Sequence, residues 1–299
     1  MNIFLDNVNL NSTSGPNHFA KKLKKYMERQ GDSFNQNDPF DTQLTFIQRV
    51  NLVAPMFQRL DGIYFNSEQD YRSMNASISK TYTEAKGVIF QSEFNKRLTF
   101  KYFGEHSNSA VIHNGADLEL INQVRPLKND VLEQFEDVWC CASSWRPHKR
   151  LKDNIRYFLE HSNSKDCLVV AGKIQKEDIV KHERVFYVGN VDINTLFAIY
   201  KKSKYLIHLA YLDHCPNVVV DAVACGCHVI CSSAGGTKEV AVGGTIIEEE
   251  EWDLEPLRLY SPPEMDFTRK KQNDFNTNID MTYVASQYHK FMGEQNENS

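Results

Sequence analysis

The chain has 299 residues, of which 41% are hydrophobic and 24% charged, enough for two domains that each bury a core. Its formal net charge of −5 argues against broad nucleic-acid binding, because a protein that neutralises many phosphates carries a dominant basic balance or a basic stripe. No apolar run approaches the roughly 18 residues of a membrane span, and Met1-Asn2-Ile3-Phe4-Leu5 leads into Asp6 without a signal-peptide stretch. The expectation is a globular, cytoplasmic protein.

Taken in chain order, the apolar runs are short and separated by helical patterns, the signature of βαβ units with parallel sheets buried on both faces. The first predicted strand, Asn2 to Leu5, passes through Asn11-Ser12-Thr13-Ser14-Gly15-Pro16-Asn17 into a helix with Phe19, Leu23, Tyr26 and Met27 at helical spacing. Lys21, Lys22, Lys24 and Lys25 fill the positions between and predict a basic outer face. Such a face is more often simply solvated, but it could also rest on an anionic membrane. Gly62 to Phe65, just after Asp61, Gly87 to Gln91 and Ala110 to His113 are the next predicted strands. The polar stretch Arg125 to Asp130, after Asn114-Gly115-Ala116-Asp117, marks a domain boundary, giving 1–126 and 127–275 as the two domains.

In the second domain the predicted strands are Val138 to Ala142, Cys167 to Ala171, Val185 to Val188, Tyr205 to Leu209 and His228 to Cys231. After the first of them, Ser143-Ser144-Trp145-Arg146-Pro147-His148-Lys149-Arg150 crowds cations into a strand-to-helix turn, where a helix N-terminus and fixed positive charge together suit a diphosphate. The block from Tyr211 to Val240 reads as a loop, a helix opening near Pro216 and stopping at Gly226, a buried strand, and the glycine turn Gly235-Gly236, whose amides can approach an anion. Asp213 in the loop and Asp221 on the helix are spaced so that both can face one mouth, and a carboxylate binds sugar hydroxyls through charge-assisted hydrogen bonds. The cluster His214, Cys215, Cys225, Cys227, His228 and Cys231 lacks the paired spacing of a structural zinc site, so no metal is expected. The odd number of cysteines, several in apolar runs, suggests buried thiols rather than a disulfide framework. Residues 276–299 form a last segment: Met281 to Met292 predicts an amphipathic helix packing back toward the first domain, and Gly293 to Ser299 a disordered tail.

On these motifs the chain resembles the retaining glycosyltransferases of the family 4 type, over about residues 1 to 245. The resemblance rests on an E-x7-E element, here Asp213 and Asp221 with Cys215-Pro216-Asn217 between them, a helix ending in Ala224-Cys225-Gly226, and the glycine loop that follows. It implies an α/β fold of two Rossmann-like domains facing across a cleft, the GT-B architecture, with a shortened first domain. It also implies transfer of a sugar from a nucleoside diphosphate sugar to a glycan, lipid-linked or protein acceptor, with retention of configuration and without a cofactor or metal. Carried over, Asp213 contacts the donor sugar and Asp221 the ribose, while Arg146 and Lys149 hold the diphosphate, with Arg150 as a substitute for Lys149. Gly15, Gly172, Lys173, Pro216, Asn217, Gly235 and Gly236 border the nucleotide sugar, and Asp61 touches the sugar or orients the acceptor.

Two rivals keep the fold: a degenerate sugar-nucleotide-binding protein, suggested by the two aspartates in place of glutamates, and a sugar-nucleotide epimerase. A nicotinamide oxidoreductase is disfavoured, because no G-x-G-x-x-G follows a predicted strand with an acidic residue at the right distance.

Overall fold

Each of the chain's two units is built on a mostly or wholly parallel sheet with helices against it. The computed structural model describes residues 1–12, 14–35 and 39–297, with side chains through 294. The first unit comprises Met1–Ala116, the short return Asp253–Leu257, and the chain from Asn278 onward; the second comprises Asp117–Trp252 and Arg258–Thr277. Thr13 of the connection from Asn11 to Asn17, residues 36–38, and Asn298 and Ser299 of the predicted tail lie outside the described residues.

The first unit carries β1 (Ile3–Asp6), α1 (Gly15–Arg29), β2 (Thr42–Phe46), β3 (Met56–Leu60), α2 (Tyr71–Glu84), β4 (Gly87–Phe90), α3 (Glu93–Phe103) and β5 (Ser109–Val111). The strands pair in that order, all parallel. On the free side of β1, Ser33 forms a parallel bridge to Asn2, its amide donating to the Met1 carbonyl at 2.8 Å and its carbonyl accepting from the Ile3 amide at 2.8 Å. The path through α1 therefore leads away from β2 to Ser33, while every later crossover runs the other way, so the winding reverses at β1.

Two expectations are corrected here. Gly62 to Phe65 is a loop, and the strands in this part of the chain are β2 and β3. Their fully buried Gln43, Thr45, Gln58 and Arg59 hide them from a search for apolar runs. The amide of Gln43 bridges Thr45 and the Asn51 carbonyl, each at 2.8 Å, which is how a polar side chain is tolerated in a sheet interior. Lys22 does not belong to a solvated basic face: it is buried, with Nζ donating to the Gly115 carbonyl at 2.7 Å.

The C-terminal helix Met281–Glu297 buries Met281, Val284, Ala285, Tyr288 and Met292 against Phe19, Leu23 and Met27 of α1 and against Leu44 and Phe57 of the sheet. It runs through most of the stretch expected to lack structure. No described helix is long and apolar enough to cross a membrane.

The second unit opens with α4 (Leu118–Gln123), capped by the Asp117 carboxylate, and continues through β6 (Val138–Ala142), α5 (Leu151–His161), β7 (Cys167–Ala171), β8 (Val185–Gly189), α6 (Ile193–Lys202), β9 (Tyr205–His208), α7 (Asn217–Ala224), β10 (His228–Ser232), α8 (Thr237–Val240), β11 (Thr245–Ile247) and β12 (Lys270–Gln272). The sheet order is β12-β11-β10-β9-β6-β7-β8, parallel except for the antiparallel edge strand β12. Sequence patterning missed the two short strands at this edge; β12 is exposed throughout. From β6 the chain winds outward to β7 and β8, then returns to β9 on the other side. The crevice beyond the carboxyl ends of β6 and β9 is thus a topological switch point, where open α/β sheets bind ligands. Among the described residues the cysteines form no disulfide.

Candidate functional site

Both switch-point strands end in polar turns that converge. After β6, Arg146 is exposed and a single 3-10 turn, Pro147–Lys149, leads to Arg150, which takes the left-handed conformation at φ 52° and opens α5. Buried Asn154 fixes this turn: its amide donates to the carbonyls of Arg150 at 2.6 Å and Lys149 at 3.1 Å, while its Oδ1 accepts from the Leu209 amide at 3.2 Å. The His148 carbonyl accepts from the Tyr211 amide at 2.7 Å, a second tie to the chain leaving β9.

That register sets Lys149 Nζ 2.5 Å from Asp213 Oδ2. The same oxygen lies 3.0 Å from Nε2 of His208, the last residue of β9. Burial by itself raises the Asp213 carboxyl, but Lys149 and His208 outweigh it and hold the group well below the usual carboxylate range. His208 is 3% exposed, and burial lowers its pKa against the pull of Asp213. His148 is pushed down to about 3, by burial first and then by Lys149; His214 falls to about 4 through burial. These imidazoles are neutral at physiological pH, so the fixed positive charge of the site resides in Arg146 and Lys149.

The glycine turn after β10 closes against the same aspartate. Gly236 donates its amide to the Asp213 carbonyl at 2.7 Å, and Gly235 bridges Asp213. At φ 90° with a Cβ that would fall 2.5 Å from the Asp213 carbonyl oxygen, position 235 requires glycine. Gly172, at φ 111°, is equally confined, since a Cβ there would sit 2.0 Å from the Ser143 carbonyl oxygen under the basic turn. Lys173 beside it is exposed, and Pro216 and Asn217 open α7 half-buried.

Arg150 and Asp221 stand differently from the expectation. Arg150 is buried and forked onto Glu249 at 2.7 and 2.8 Å, with further bonds to the carbonyls of Pro263 and Leu209 and its plane 4.8 Å from the Tyr211 ring. With both terminal nitrogens held inside the fold and Nε buried, it braces the turn from within. Asp221 is 2% exposed, with Tyr200 and Cys225 in its field, so of the two aspartates it is Asp213 that opens onto the turn.

In the first unit Asp61 follows β3, and its side chain is 15% exposed. Its Oδ1 pairs with Arg59 and its Oδ2 has no hydrogen-bond partner. Arg59, 1% exposed, donates from Nε to the Tyr288 hydroxyl at 3.0 Å and from Nη2 to Asn114 Oδ1 at 2.7 Å, with its plane 4.0 Å above Phe19. Burial raises the Asp61 carboxyl against the opposing pull of Arg59. Gly15 begins α1, and Asn17 one turn in accepts from the Asn9 amide at 2.8 Å. Asn7, Asn9, Asn17 and Asn51 line a cavity of about 400 Å³ at the end of β1, beside the reversal of winding.

Sequence reasoning missed His208, Asn154 and Arg59. A histidine in an apolar strand, an asparagine inside a helix and an arginine in a buried strand carry no local signal of their own. Among the described residues no group of three or more His, Cys, Asp or Glu side chains could hold a metal ion.

Residues 136–254 match the model of the glycosyl transferases group 1, a stretch that falls almost wholly in the second unit. No curated protein matches the chain in sequence. Among solved structures, sucrose-phosphate synthase from Thermosynechococcus elongatus is similar with a TM-score of 0.71 at 12% identity over 100% of both chains. HepE from Anabaena, in complex with UDP-glucose, gives 0.68 at 14% identity over 98% of this chain and 100% of that one. A glycosyltransferase from Rickettsia africae gives 0.64 at 16% identity over 100% and 99%. At such identities the likeness establishes the fold, the two-Rossmann GT-B fold.

Proposed function

We propose that the chain transfers a sugar from a nucleoside diphosphate sugar to an acceptor hydroxyl with retention of configuration, using the second unit's switch point as the donor site. The observation that carries this reading is the convergence of the basic turn, Asp213 and the glycine turn, within the segment that matches the group 1 family. Arg146 and Lys149 neutralise the leaving diphosphate. The Gly236 amide, expected to face that anion, is instead given to the Asp213 carbonyl, so the glycine turn serves to fix the loop that carries Asp213. Asp213 accepts from donor-sugar hydroxyls. Asp61, whose side chain is partly exposed after β3, contacts the sugar or the acceptor hydroxyl from the first unit. The complex of HepE with UDP-glucose supports a uridine donor as the first to try. No residue is assigned to a metal, and the leaving diphosphate itself helps to take the acceptor's proton. A cytoplasmic location, with Lys21 of α1 available to an anionic membrane surface, fits a lipid-linked acceptor.

A thermal-shift screen against nucleoside diphosphates and their sugar conjugates tests the donor site, because a ligand at 100 times its Kd stabilises by about 2.7 kcal/mol. One nucleotide series should raise the melting temperature of the wild type and not of Arg146→Ala, whose exposed side chain can be removed without disturbing the fold. No shift with any nucleotide would sink the reading. Binding without acceptor-dependent donor consumption would reduce the chain to a sugar-nucleotide-binding protein, and acceptor-independent conversion of the donor sugar would make it an epimerase.

A further inference from the structure

Lys149 Nζ and His208 Nε2 point at one and the same oxygen, Asp213 Oδ2, at 2.5 and 3.0 Å. The other oxygen, Oδ1, accepts from the His214 amide at 3.1 Å. One carboxylate thus has two potential cationic partners, and with Lys149 charged it needs only one. The neutral imidazole donates Nε2–H to Oδ2, which leaves Nδ1 as the basic position.

An anion at the basic turn changes this balance. Lysine is a compact point charge, and a diphosphate competes with Asp213 for it. Whether Lys149 swings fully away or bridges the two anions, the positive charge available to Asp213 falls and the negative charge near His208 rises. Leaving a buried carboxylate without a counter-ion is costly, and a neighbouring imidazole can remove that cost by ionising.

We propose that His208 is a positioning residue of the donor site: when a diphosphate engages Lys149, His208 takes up a proton and becomes the counter-ion that holds Asp213 in place. The proton comes from solvent and enters at Nδ1; no bond between heavy atoms forms or breaks. This inference rests on the proposed donor site. The other groups facing this pair are His148 from the basic turn, His214 from the loop and Cys231, the register partner of His208 on β10. Burial holds the first two neutral, and it keeps Cys231 a thiol by raising it to about 12, so none of them supplies the missing charge.

Two measurements test the exchange. The first needs no nucleotide: side-chain NMR of the ligand-free protein should find His208 neutral at pH 7 in the wild type and mostly protonated at pH 7 in Lys149→Met, its midpoint raised from below the ordinary imidazole value to above pH 7. A His208 that stays neutral without Lys149 overturns the inference. The second is calorimetry with UDP, GDP, ADP and CDP at about pH 8, above the range in which phosphates titrate, in buffers of different ionisation enthalpy. Wild type should take up between about half a proton and one proton per nucleotide bound, and His208→Gln, which keeps a donor but cannot ionise, none. Binding with buffer-independent heat overturns this inference and leaves the donor site standing. Absence of binding by all four nucleotides overturns the donor site, and this inference with it.

Discussion

Asp61 and Asp213 make a natural pair for comparison. Each follows a strand at the carboxyl edge of its own sheet, each side chain is 15% exposed, and each touches a cation. Yet Asp61 is raised and Asp213 is lowered well below its usual value. The cation at Asp61 divides its donors among Tyr288, Asn114 and the carboxylate, and one carboxylate oxygen stays bare. At Asp213 both oxygens are occupied, one of them by lysine and histidine together. Equal burial therefore yields opposite electrostatics, and the number of partners decides the sign. Asp61 keeps one oxygen buried and unpaired, whereas both oxygens of Asp213 are engaged.

The most forceful way to break the comparison is to remove the divided cation. Arg59→Met leaves the Asp61 carboxylate buried without its cation and should cost about 3–5 kcal/mol in chemical denaturation. A loss below about 1 kcal/mol would mean that Arg59 is not the keystone of that network.

The opposite shifts also predict opposite slopes of stability against pH. A lowered carboxyl stabilises above its unfolded value and loses that contribution as pH falls through its folded value, so Asp213 acts below about pH 4. A raised carboxyl stabilises below its unfolded value and loses that contribution as pH rises through its folded value, so Asp61 acts from about pH 4 upward. Asp213→Asn should flatten the acid limb, and Asp61→Asn should remove a decline on its alkaline side, each by at most about 1.4 kcal/mol per pH unit. Urea titrations across pH 2 to 7 would read both, and slopes that move the same way would refute the comparison.

The smallest effect sharpens the comparison. Tyr288→Phe deletes one acceptor from Arg59 and should cost about 1 kcal/mol. A second addition of Asp61→Asn should then be non-additive in a double-mutant cycle, because the two side chains meet at one guanidinium.

Much of the second unit was legible because its central strands, such as Val138-Trp139-Cys140-Cys141-Ala142, are continuous apolar runs buried on both faces. The basic turn and the glycine turn were legible for a related reason: cations and paired glycines between a strand and a helix have few other uses. The first unit read less well. β2 and β3 bury glutamine, threonine and arginine, and partners such as the Asn51 carbonyl for Gln43 and Asn114 for Arg59 come only with the tertiary structure. The same blindness explains Arg150, whose partner Glu249 is 99 residues away, and His208, which reads as an ordinary core residue until the loop carrying Asp213 folds over it.

The helix Met281–Glu297 also bears on the order in which the protein can be made. Its Tyr288 meets Arg59 across 229 residues of chain, and Phe19 and Leu23 are covered by a segment that the ribosome releases only after the whole second unit. During synthesis the second unit can close its core on its own, whereas the first must wait with an apolar flank and a buried-to-be guanidinium still wet. The half of the chain that is translated first is therefore the half whose core is completed by the residues made last.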